Sequence, residues 1–476
     1  MSTTKEKTPI SLIEAILVFV VSVGLIILFS KVGLPTGACT TITGVLLALY
    51  NVFRVKMKSN DCAELFYQKV GSSMSAIAIL LLSAFNAVTW AMSGTSPFLV
   101  IAGLRALTPG TCLILSFVLM FVLTMVTGQA WGLLPTLGLA CFTVGNALGL
   151  NPALMAATII SGTYMGETLA PLSDGTNYQA AMIERDVMTV VKGNAPATVP
   201  GAAVAVIILA VVGFSTKTSG TASMESARAM ADTIAATGNY TVISLLPIVV
   251  MLVLIILKIN LYACIFSSSL CAIILAMLTN GHSVVAVVSN AWNGMASATG
   301  DAIIDSVFTL GGVSGMGWTV FVIFGACVFA SQLIASGVPT IILDKLVRFC
   351  ANARSLSFTT IVASLVLMLL TGGQYTVMTL ISNVFNGKYK EINVDNSVLA
   401  RCSYNYSSMV MTFIPWSSMC AATFALIGYT GNFYDVIPYC FAAFASFFFI
   451  VLWAAIGKFA PPWNNKVEKA AADAAE

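Results

Sequence analysis

The sequence predicts an all-α polytopic membrane protein. Hydrophobic residues make up 58% of the 476-residue chain and charged residues only 9%, whereas a soluble globular protein carries about 25% charged residues. Apolar stretches long enough to cross a bilayer as helices recur along the chain. Residues 10–30 form one such stretch, and residues 113–126, 200–214, 243–257 and 358–370 lie within further candidate spans. No single soluble core would bury this much apolar sequence.

The first apolar stretch is interpreted as a membrane span rather than a cleaved signal peptide. It carries Glu14, exceeds the length of a signal core and is followed at once by a second span. Short basic flanks stay in the cytoplasm. Such flanks precede the first span, follow the second and follow the last: Lys5, Lys7, Arg54, Lys56, Lys58, Lys69, Lys458, Lys466 and Lys469. We therefore expect both termini in the cytoplasm and an even number of full crossings.

Composition argues against several other classes. The net charge is +3 without the basic run that nucleic-acid binding requires, so nucleic acid is not an expected partner. The eleven cysteines include no CxxC pair and mostly lie in apolar runs, where they act as small hydrophobes. The single histidine, His282, follows a turn, and "GGVSGMG" at 311–317 lacks the Lys-Ser/Thr of a phosphate loop. We expect no cofactor, only transported or coupling Na⁺ and H⁺.

The chain divides around a polar linker. Residues 215–239 are rich in Ser, Thr and Ala, and they separate a first transport repeat (71–214) from a second (240–460). Residues 1–70 are assigned to N-terminal helices and a basic cytoplasmic segment, and residues 461–476 to a cytoplasmic tail.

The two proposed repeats carry the same motifs at matched spacing. "SGTSPFLVIAGLRAL" from Ser93 precedes an apolar span and then "TGQAW", which begins 34 residues after Ser93. "SGVPTIILDKLVRFC" from Ser336 precedes an apolar span and then "TGGQY", which begins 35 residues after Ser336. Duplicated halves with glycine-interrupted spans indicate a secondary transporter, and an inverted second copy is the commoner arrangement.

We predict matching helix interruptions at residues 127–131 and 371–375, near the bilayer midplane and facing each other. Each interruption would expose backbone carbonyls, which can hold a cation, and the positive end of a half-helix, which can hold a carboxylate. The residues expected to contribute are Thr127, Gly128 and Gln129 in the first half and Thr371, Gly372, Gln374 and Tyr375 in the second.

A third interruption is predicted in "GETLAPLSDGTN", residues 166–177, between two apolar flanks. Three glycines and a proline across residues 161–177 disfavour a continuous helix. Non-helical backbone at membrane depth is tolerated where it is buried or lines a wet cavity. Asp174 stands among Ser173, Thr176 and Asn177, whose oxygens suit a sodium ion or proton, and an ionisable residue there is a functional candidate. Glu167 is a weaker candidate, and an extramembrane turn capped by Asp174 is the alternative.

Four motifs carry a resemblance to a known family. They are "SGTYMGETLAPLSDGTN" (161–177), "TGQAWG" (127–132), "TGGQY" (371–375) and "FIPWSS" (413–418). In these motifs the chain resembles the NhaC-type sodium/proton antiporters of the ion transporter superfamily, from about residue 71 to the end. The resemblance implies two broken-helix repeats, a cation-linked cycle in the inner (plasma) membrane, and site roles for Pro415, Trp416 and Ser417.

Two departures from the family pattern bear on the substrate. The family's Asp-Lys is Glu167-Thr168 here, and the acidic pair that commonly follows the second-half arginine is replaced by Tyr404 and Asn405 after Arg401. A buried arginine without a partner is costly. A substrate carboxylate could therefore contact Arg401 while Asp174 holds the coupling cation. The alternative places Arg401 in a cytoplasmic loop.

The sequence favours an ion-coupled secondary transporter, with a sodium/proton antiporter as the first hypothesis. The alternative is a sodium- or proton-coupled transporter or exchanger of a small organic acid or amino acid. A membrane-embedded enzyme would need a catalytic constellation, and no HExxH, GxSxG or metal cluster is visible. A channel or structural subunit is the remaining class. We expect contacts with membrane lipid and with a small ion or organic substrate, and leave open a homodimer.

Overall fold

The computed structural model describes residues 10–215, 224–257, 259–297, 308–348 and 350–463, together with Asp305. Several residues expected to orient the chain lie outside the described residues: Lys5, Lys7, Lys466 and Lys469. The linker segment 216–223 and the tail beyond residue 463 also lie outside them.

Helices account for every regular element in the described part of the chain, which confirms the predicted fold class. Eight helices in this part are long and apolar enough to cross a membrane. The number becomes nine when Phe433–Tyr439 and Phe441–Ile456, which meet at a 58° bend, count as one span. The protein is therefore a multi-pass membrane protein, and the even number of crossings stays a prediction.

The N-terminal region, first half and linker contribute helices α1 to α11. In chain order they are α1 (Leu12–Lys31), α2 (Thr36–Phe53), α3 (Ser59–Met92), α4 (Thr95–Ala106), α5 (Pro109–Thr127), α6 (Ala130–Leu133), α7 (Leu139–Ala147), α8 (Pro152–Thr168), α9 (Asp174–Met182), α10 (Val187–Ser215) and α11 (Met224–Ala235). A π-helical turn, Leu134–Gly138, joins α6 to α7.

The second half contributes α12 to α23. In chain order they are α12 (Leu246–Ile256), α13 (Leu261–Asn280), α14 (Val284–Asn293), α15 (Gly317–Ala335), α16 (Val338–Val347), α17 (Ala353–Thr371), α18 (Gln374–Glu391), α19 (Ser397–Ala400), α20 (Tyr406–Val410), α21 (Ser418–Leu426), α22 (Phe433–Val436) and α23 (Phe441–Ile456). A π-helical turn, Arg401–Asn405, joins α19 to α20. Short 3₁₀ segments are Val242–Leu245, Ser314–Met316, Met411–Phe413 and Ile437–Tyr439.

The two halves repeat their elements in register. Helices α5 and α17 each span 19 residues, begin with a capping box and end at a glycine with positive φ. These glycines are Gly128 (φ 71°) and Gly372 (φ 57°), 244 positions apart. Helices α9 and α21 each span nine residues and also begin 244 positions apart. Glycine adopts positive φ without a Cβ penalty, so both halves end the helix in the same way.

Helices α5 and α17 each fold back on the helix that follows. In the first half, α5 packs against α7. In the second half, the hydroxyls of Thr360 in α17 and Tyr389 in α18 are 3.0 Å apart. Each half therefore contains a helical hairpin whose tip is the Thr-Gly motif.

The two hairpins open at opposite ends of α23. At the open end of the first, the Asn151 amide donates to the Tyr439 hydroxyl, which lies just before α23 (3.4 Å). At the open end of the second, Arg354 donates to the carbonyl of Ile456, the last residue of α23 (3.4 Å). Opposite openings are consistent with an inverted repeat, and the inversion stays a prediction.

Close packing of α8 against α5 places the site-bearing segment in the interior. Every residue of α8 from position 153 onward is buried. Gly162 and Gly166 lie inside this helix instead of interrupting it, and a Cβ on either would stand within 3 Å of an α5 carbonyl oxygen. Small residues allow such close helix contact. The interruption predicted for residues 161–177 is confined to residues 169–173.

Candidate functional site

Each hairpin tip packs against a helix break of its own half. The first tip is residues 127–129 and the first break is residues 169–173; the second tip is residues 371–373 and the second break is residues 414–417. A Cβ on Gly128 would stand 2.5 Å from the Leu172 carbonyl carbon, and one on Gly372 would stand 3.1 Å from the Trp416 carbonyl oxygen. The matching interruptions predicted at the Thr-Gly motifs are therefore present, and each contacts a second interruption.

The threonine of each tip holds the helix end in the same way. The Thr127 hydroxyl donates to the Leu123 carbonyl (2.7 Å) and accepts from the Gln129 backbone N–H (3.3 Å). The Thr371 hydroxyl donates to the Leu367 carbonyl (2.8 Å) and accepts from the Gly373 N–H (3.3 Å). In each tip the hydroxyl therefore bonds back to the carbonyl one turn earlier and gives a backbone N–H just beyond the helix an acceptor.

The Pro-Trp-Ser segment of the second break binds the second tip. The Trp416 indole N–H donates to the Leu369 carbonyl (3.0 Å), and the Ser417 hydroxyl donates to the Gly372 carbonyl (2.8 Å). In α18, the Gln374 amide donates to the Ser408 hydroxyl. The carbonyls of Leu369 and Gly372 each accept one of these hydrogen bonds.

Glu167 is a buried carboxylate at the first break. It lies in the last turn of α8 and is only 5% exposed. The Ser173 hydroxyl donates to its side chain (3.4 Å), and the Thr176 hydroxyl donates to its backbone carbonyl (3.1 Å). The hydroxyls expected around Asp174 lie around Glu167 instead, because Ser173 and Thr176 turn inward where α9 begins.

Asp174 is exposed at the start of α9. It directly follows Ser173, whose hydroxyl donates to the Glu167 side chain. The Asn177 amide donates to the carbonyls of Pro171 (3.0 Å) and Ser173 (2.8 Å). Asn177 thereby stabilises the break, and the two carboxylates occupy a buried and an exposed position on either side of it.

Two tyrosines of the second half contact the segment that carries Glu167 and Asp174. The Tyr404 hydroxyl lies 3.2 Å from the Thr176 hydroxyl and donates to the Glu167 carbonyl (3.4 Å). The Tyr375 ring makes an edge-to-face contact with Tyr178 of α9, at 5.0 Å between centroids. The site is therefore built from both halves. From the sequence, Tyr404 was identified only as the residue that replaces an acid of the family pattern. Tyr178 was not identified, because the sequence carries no signal for it.

Arg401 lies apart from these contacts. It is 2% exposed, and its Nη2 donates to the Phe459 carbonyl after α23 (3.0 Å). Its Nε has no hydrogen-bond partner among the described residues. The residue belongs to a buried π-helical turn and not to a loop. The contact with a substrate carboxylate that the sequence suggested for Arg401 stays a prediction.

A cavity of about 1220 Å³ lies between the halves at the open end of the first hairpin. Among the lining residues, Pro415 is the one that the sequence predicted for the site. Ser83 and Asn146 also line the cavity, and each has a side-chain oxygen without a hydrogen-bond partner in the described structure. Asp435 is the charged lining residue, and no described lysine, arginine or histidine lines the cavity. The cavity is thus suited to water and cations.

Transition-metal chemistry finds no support in the described residues. They contain no group of three or more His, Cys, Asp or Glu side chains that could hold a metal ion. Hard cations bind oxygen ligands, including hydroxyls and carbonyls. A sodium ion at Asp174 or Glu167 would therefore depend on neighbouring hydroxyl and carbonyl oxygens.

Comparison with known proteins agrees with this architecture. Matches to the Na⁺/H⁺ antiporter family cover residues 2–182 and 162–458. The chain is 25% identical to the Na(+)/H(+) antiporter NhaC of Alkalihalophilus pseudofirmus, over 94% of this chain and 95% of the relative. It is 23% identical to the malate-2H(+)/Na(+)-lactate antiporter of Bacillus subtilis, over 97% and 98%. It is 27% identical to the arginine/ornithine antiporter ArcD of Halobacterium salinarum, over 72% and 71%. Because the family matches run through both halves, the chain belongs to the Na⁺/H⁺ antiporter family.

Proposed function

We propose that the protein exchanges sodium ions for protons across the inner membrane, with Glu167 and Asp174 binding the two ions in turn. The observation that carries the proposal is the pair of carboxylates at the first break, one buried and one exposed. The hydroxyls of Ser173 and Thr176 lie beside the buried one. Family membership and the similarity to NhaC support these ions.

The exchange follows from electrostatics. The Glu167 carboxylate accepts from the hydroxyl of Ser173, the residue before Asp174, and two neighbouring carboxylates repel each other when both are ionised. Either a sodium ion or a proton relieves this repulsion, so the two compete for the same place. Asp174, being exposed, is the first contact for an entering ion. In this proposal Na⁺ and H⁺ are transported ions and not cofactors.

The test uses purified protein in sealed vesicles. A sodium gradient is imposed, and proton movement is followed with a pH-sensitive dye. We expect sodium-driven proton flux in the parent protein and its loss in Glu167→Gln and Asp174→Asn. Glu64→Gln is the matched control, since Glu64 is an exposed carboxylate on α3.

Each outcome decides a separate point. Absence of sodium-driven proton flux in the parent overturns the exchange. Parental flux in a folded Glu167→Gln or Asp174→Asn protein removes that residue from the site. Loss of flux in the Glu64→Gln control as well would mean that the losses reflect general damage.

The proposal also includes the orientation of the protein in the membrane. Basic residues gather at the open end of the second hairpin and around α23: Arg185, Arg354, Lys388, Lys390 and Lys458. Because basic flanks stay inside, this end is placed in the cytoplasm with both termini. A reporter that fluoresces only in the cytoplasm, fused to the C-terminus, tests this placement. A fusion protein that is present at normal levels but does not fluoresce contradicts the cytoplasmic placement.

A small organic substrate is the second candidate, because the cavity is far larger than a sodium ion. Its lining offers Asp435 and no described cationic side chain, so an amine fits it better than an organic acid. Counterflow of amines and carboxylates in the same vesicles distinguishes these substrates.

The organic-acid alternative depends on Arg401. If this residue bound a substrate carboxylate, Arg401→Gln and Arg401→Lys would both lose flux, since lysine cannot reproduce the guanidinium fork. Normal transport by both variants, or no competition by organic acids in the parent, removes that alternative.

A further inference from the structure

Lys69 lies at the tip of the second hairpin. Its ammonium donates to the Thr376 hydroxyl in the first turn of α18 at 3.0 Å. The ammonium nitrogen stands 3.6 Å from the point where a Cβ on Gly373 would lie, and the Thr371 carbonyl oxygen stands 3.7 Å from that point. A half-buried lysine from α3 is thus held against the tip, 307 positions away in sequence from its hydrogen-bond partner.

The two halves differ in charge at corresponding positions. Glu167 and Asp174 flank the first break, whereas the residues 244 positions later, Met411 and Ser418, are uncharged. A sodium ion at the second tip would therefore lack a carboxylate ligand from these positions. The end of α17 nevertheless presents the partial negative charge of a helix C-terminus, which attracts a cation.

We infer that the Lys69 ammonium is a fixed cation at the second tip, in the half that lacks counterparts of the first-break carboxylates. Its hydrogen bond to the Thr376 hydroxyl keeps the ammonium at the tip, and exchangeable ions bind at the first break alone. Lys69 acts here as a positioning residue. This inference rests on the proposed sodium/proton exchange for its consequence in transport, but the occupancy of the tip is testable without transport.

Helices outside the hairpins hold the lysine in place. Helix α3 packs along α15, and the Cys327 thiol of α15 donates to the Ser73 hydroxyl one turn after Lys69 (3.2 Å). The edge-to-face contact of Phe66 with Phe324 adds a second link, at 5.1 Å between ring centroids. The ammonium is therefore held at the tip by two packed helices, α3 and α15, and not by a mobile loop.

The first measurement is thermal stability in detergent, in methylammonium chloride and in choline chloride at equal ionic strength. Lys69→Ala should melt at a lower temperature than the parent in choline. Methylammonium, a small primary ammonium ion, should restore the melting temperature of Lys69→Ala and leave the parent unchanged. Lys192→Ala is the control, because Lys192 is an exposed lysine on α10. A Lys69→Ala protein that melts like the parent, or that methylammonium does not stabilise, overturns the inference.

The second measurement is sodium-driven proton flux in vesicles. Loss of one charged hydrogen bond corresponds to about tenfold or more in a rate or affinity, so we expect a drop of that size in Lys69→Ala, with partial recovery in methylammonium. Lys69→Arg, which keeps the charge, should retain more flux than Lys69→Gln. Equal flux in these two variants overturns the role of the charge. Absence of flux in the parent refutes the proposed exchange alone, since melting reports on tip occupancy independently.

Discussion

The Tyr404 hydroxyl donates to the backbone carbonyl of Glu167 at 3.4 Å, across 237 positions of sequence. Tyr404 belongs to the π-helical turn of the second half, and Glu167 ends α8 of the first. The same hydroxyl lies 3.2 Å from the Thr176 hydroxyl. One side chain of the second half therefore contacts both helices that meet at the first break.

Removing this hydroxyl should weaken sodium binding without unfolding the protein. Phenylalanine fills nearly the same volume as tyrosine, while a neutral hydrogen bond contributes about 1 kcal/mol. We expect Tyr404→Phe to raise the sodium concentration for half-maximal flux about fivefold. Tyr262→Phe is the control, because the Tyr262 hydroxyl binds Ser75 at an exposed position (2.7 Å). An unchanged sodium dependence in Tyr404→Phe would exclude a role for the hydroxyl.

The two tip glycines should differ in their tolerance of a methyl group. Alanine at positive φ costs about 1–2 kcal/mol at either position. In Gly128→Ala the new Cβ would also stand 2.5–2.6 Å from backbone atoms of Leu172 and Ser173, whereas in Gly372→Ala the nearest atom is 3.1 Å away. We expect Gly128→Ala to lower the melting temperature and flux more than Gly372→Ala. The reverse order would contradict the tip contact described here.

Close packing of α8 on α5 should make Gly166 intolerant of alanine. A Cβ there would lie 2.3 Å from the Phe121 carbonyl oxygen, and overpacking costs about 1–3 kcal/mol. Gly24 in α1 is the matched control, because no heavy atom lies within 4 Å of its added Cβ. We expect Gly166→Ala to melt at a lower temperature and Gly24→Ala to be unchanged or slightly stabilised. Equal melting temperatures for both variants would refute the packing argument.

A buried ion pair joins the halves near the C-terminal segment. Arg185 and Asp395 are 3.2 Å apart, with side chains only 3% and 7% exposed. Because Asp395→Asn leaves a buried arginine without its counter-charge, we expect a loss of about 3–5 kcal/mol in stability. The exposed pair Arg105–Asp232 is the control, and Asp232→Asn should cost about 1 kcal/mol or less. Thermal melting in detergent checks both, and a similar loss in the two variants would contradict this ranking.

The sequence by itself determined the membrane fold class, the repeated motifs and the places where helices stop. These features have local causes. The length of an apolar run decides whether it can span a bilayer, glycine accepts the positive φ at positions 128 and 372, and Pro171 lacks the N–H that a continuing helix needs. The order of Thr-Gly and Pro-containing motifs was therefore readable without coordinates.

Tertiary structure decided which carboxylate is buried. Glu167 and Asp174 lie seven positions apart in the same polar segment, and the sequence favoured Asp174 as the residue surrounded by hydroxyls. The packing of α8 buries Glu167, while the start of α9 leaves Asp174 exposed. From the sequence, Gly162 and Gly166 were expected to interrupt the helix, but in the structure they permit that packing. Local propensity does not record which face of a helix a neighbour will cover.

The tertiary structure also determines the hydrogen-bond partners of Tyr404, Lys69 and Arg401. Tyr404 contacts Glu167, Lys69 contacts the second tip, and Arg401 donates to the carbonyl of Phe459. Two of these pairings span 237 and 307 positions. Such contacts arise only when distant helices pack, and they leave no periodicity or local motif in the chain. Periodicity determines where helices form, whereas the packing of their side chains determines which charges and hydroxyls meet.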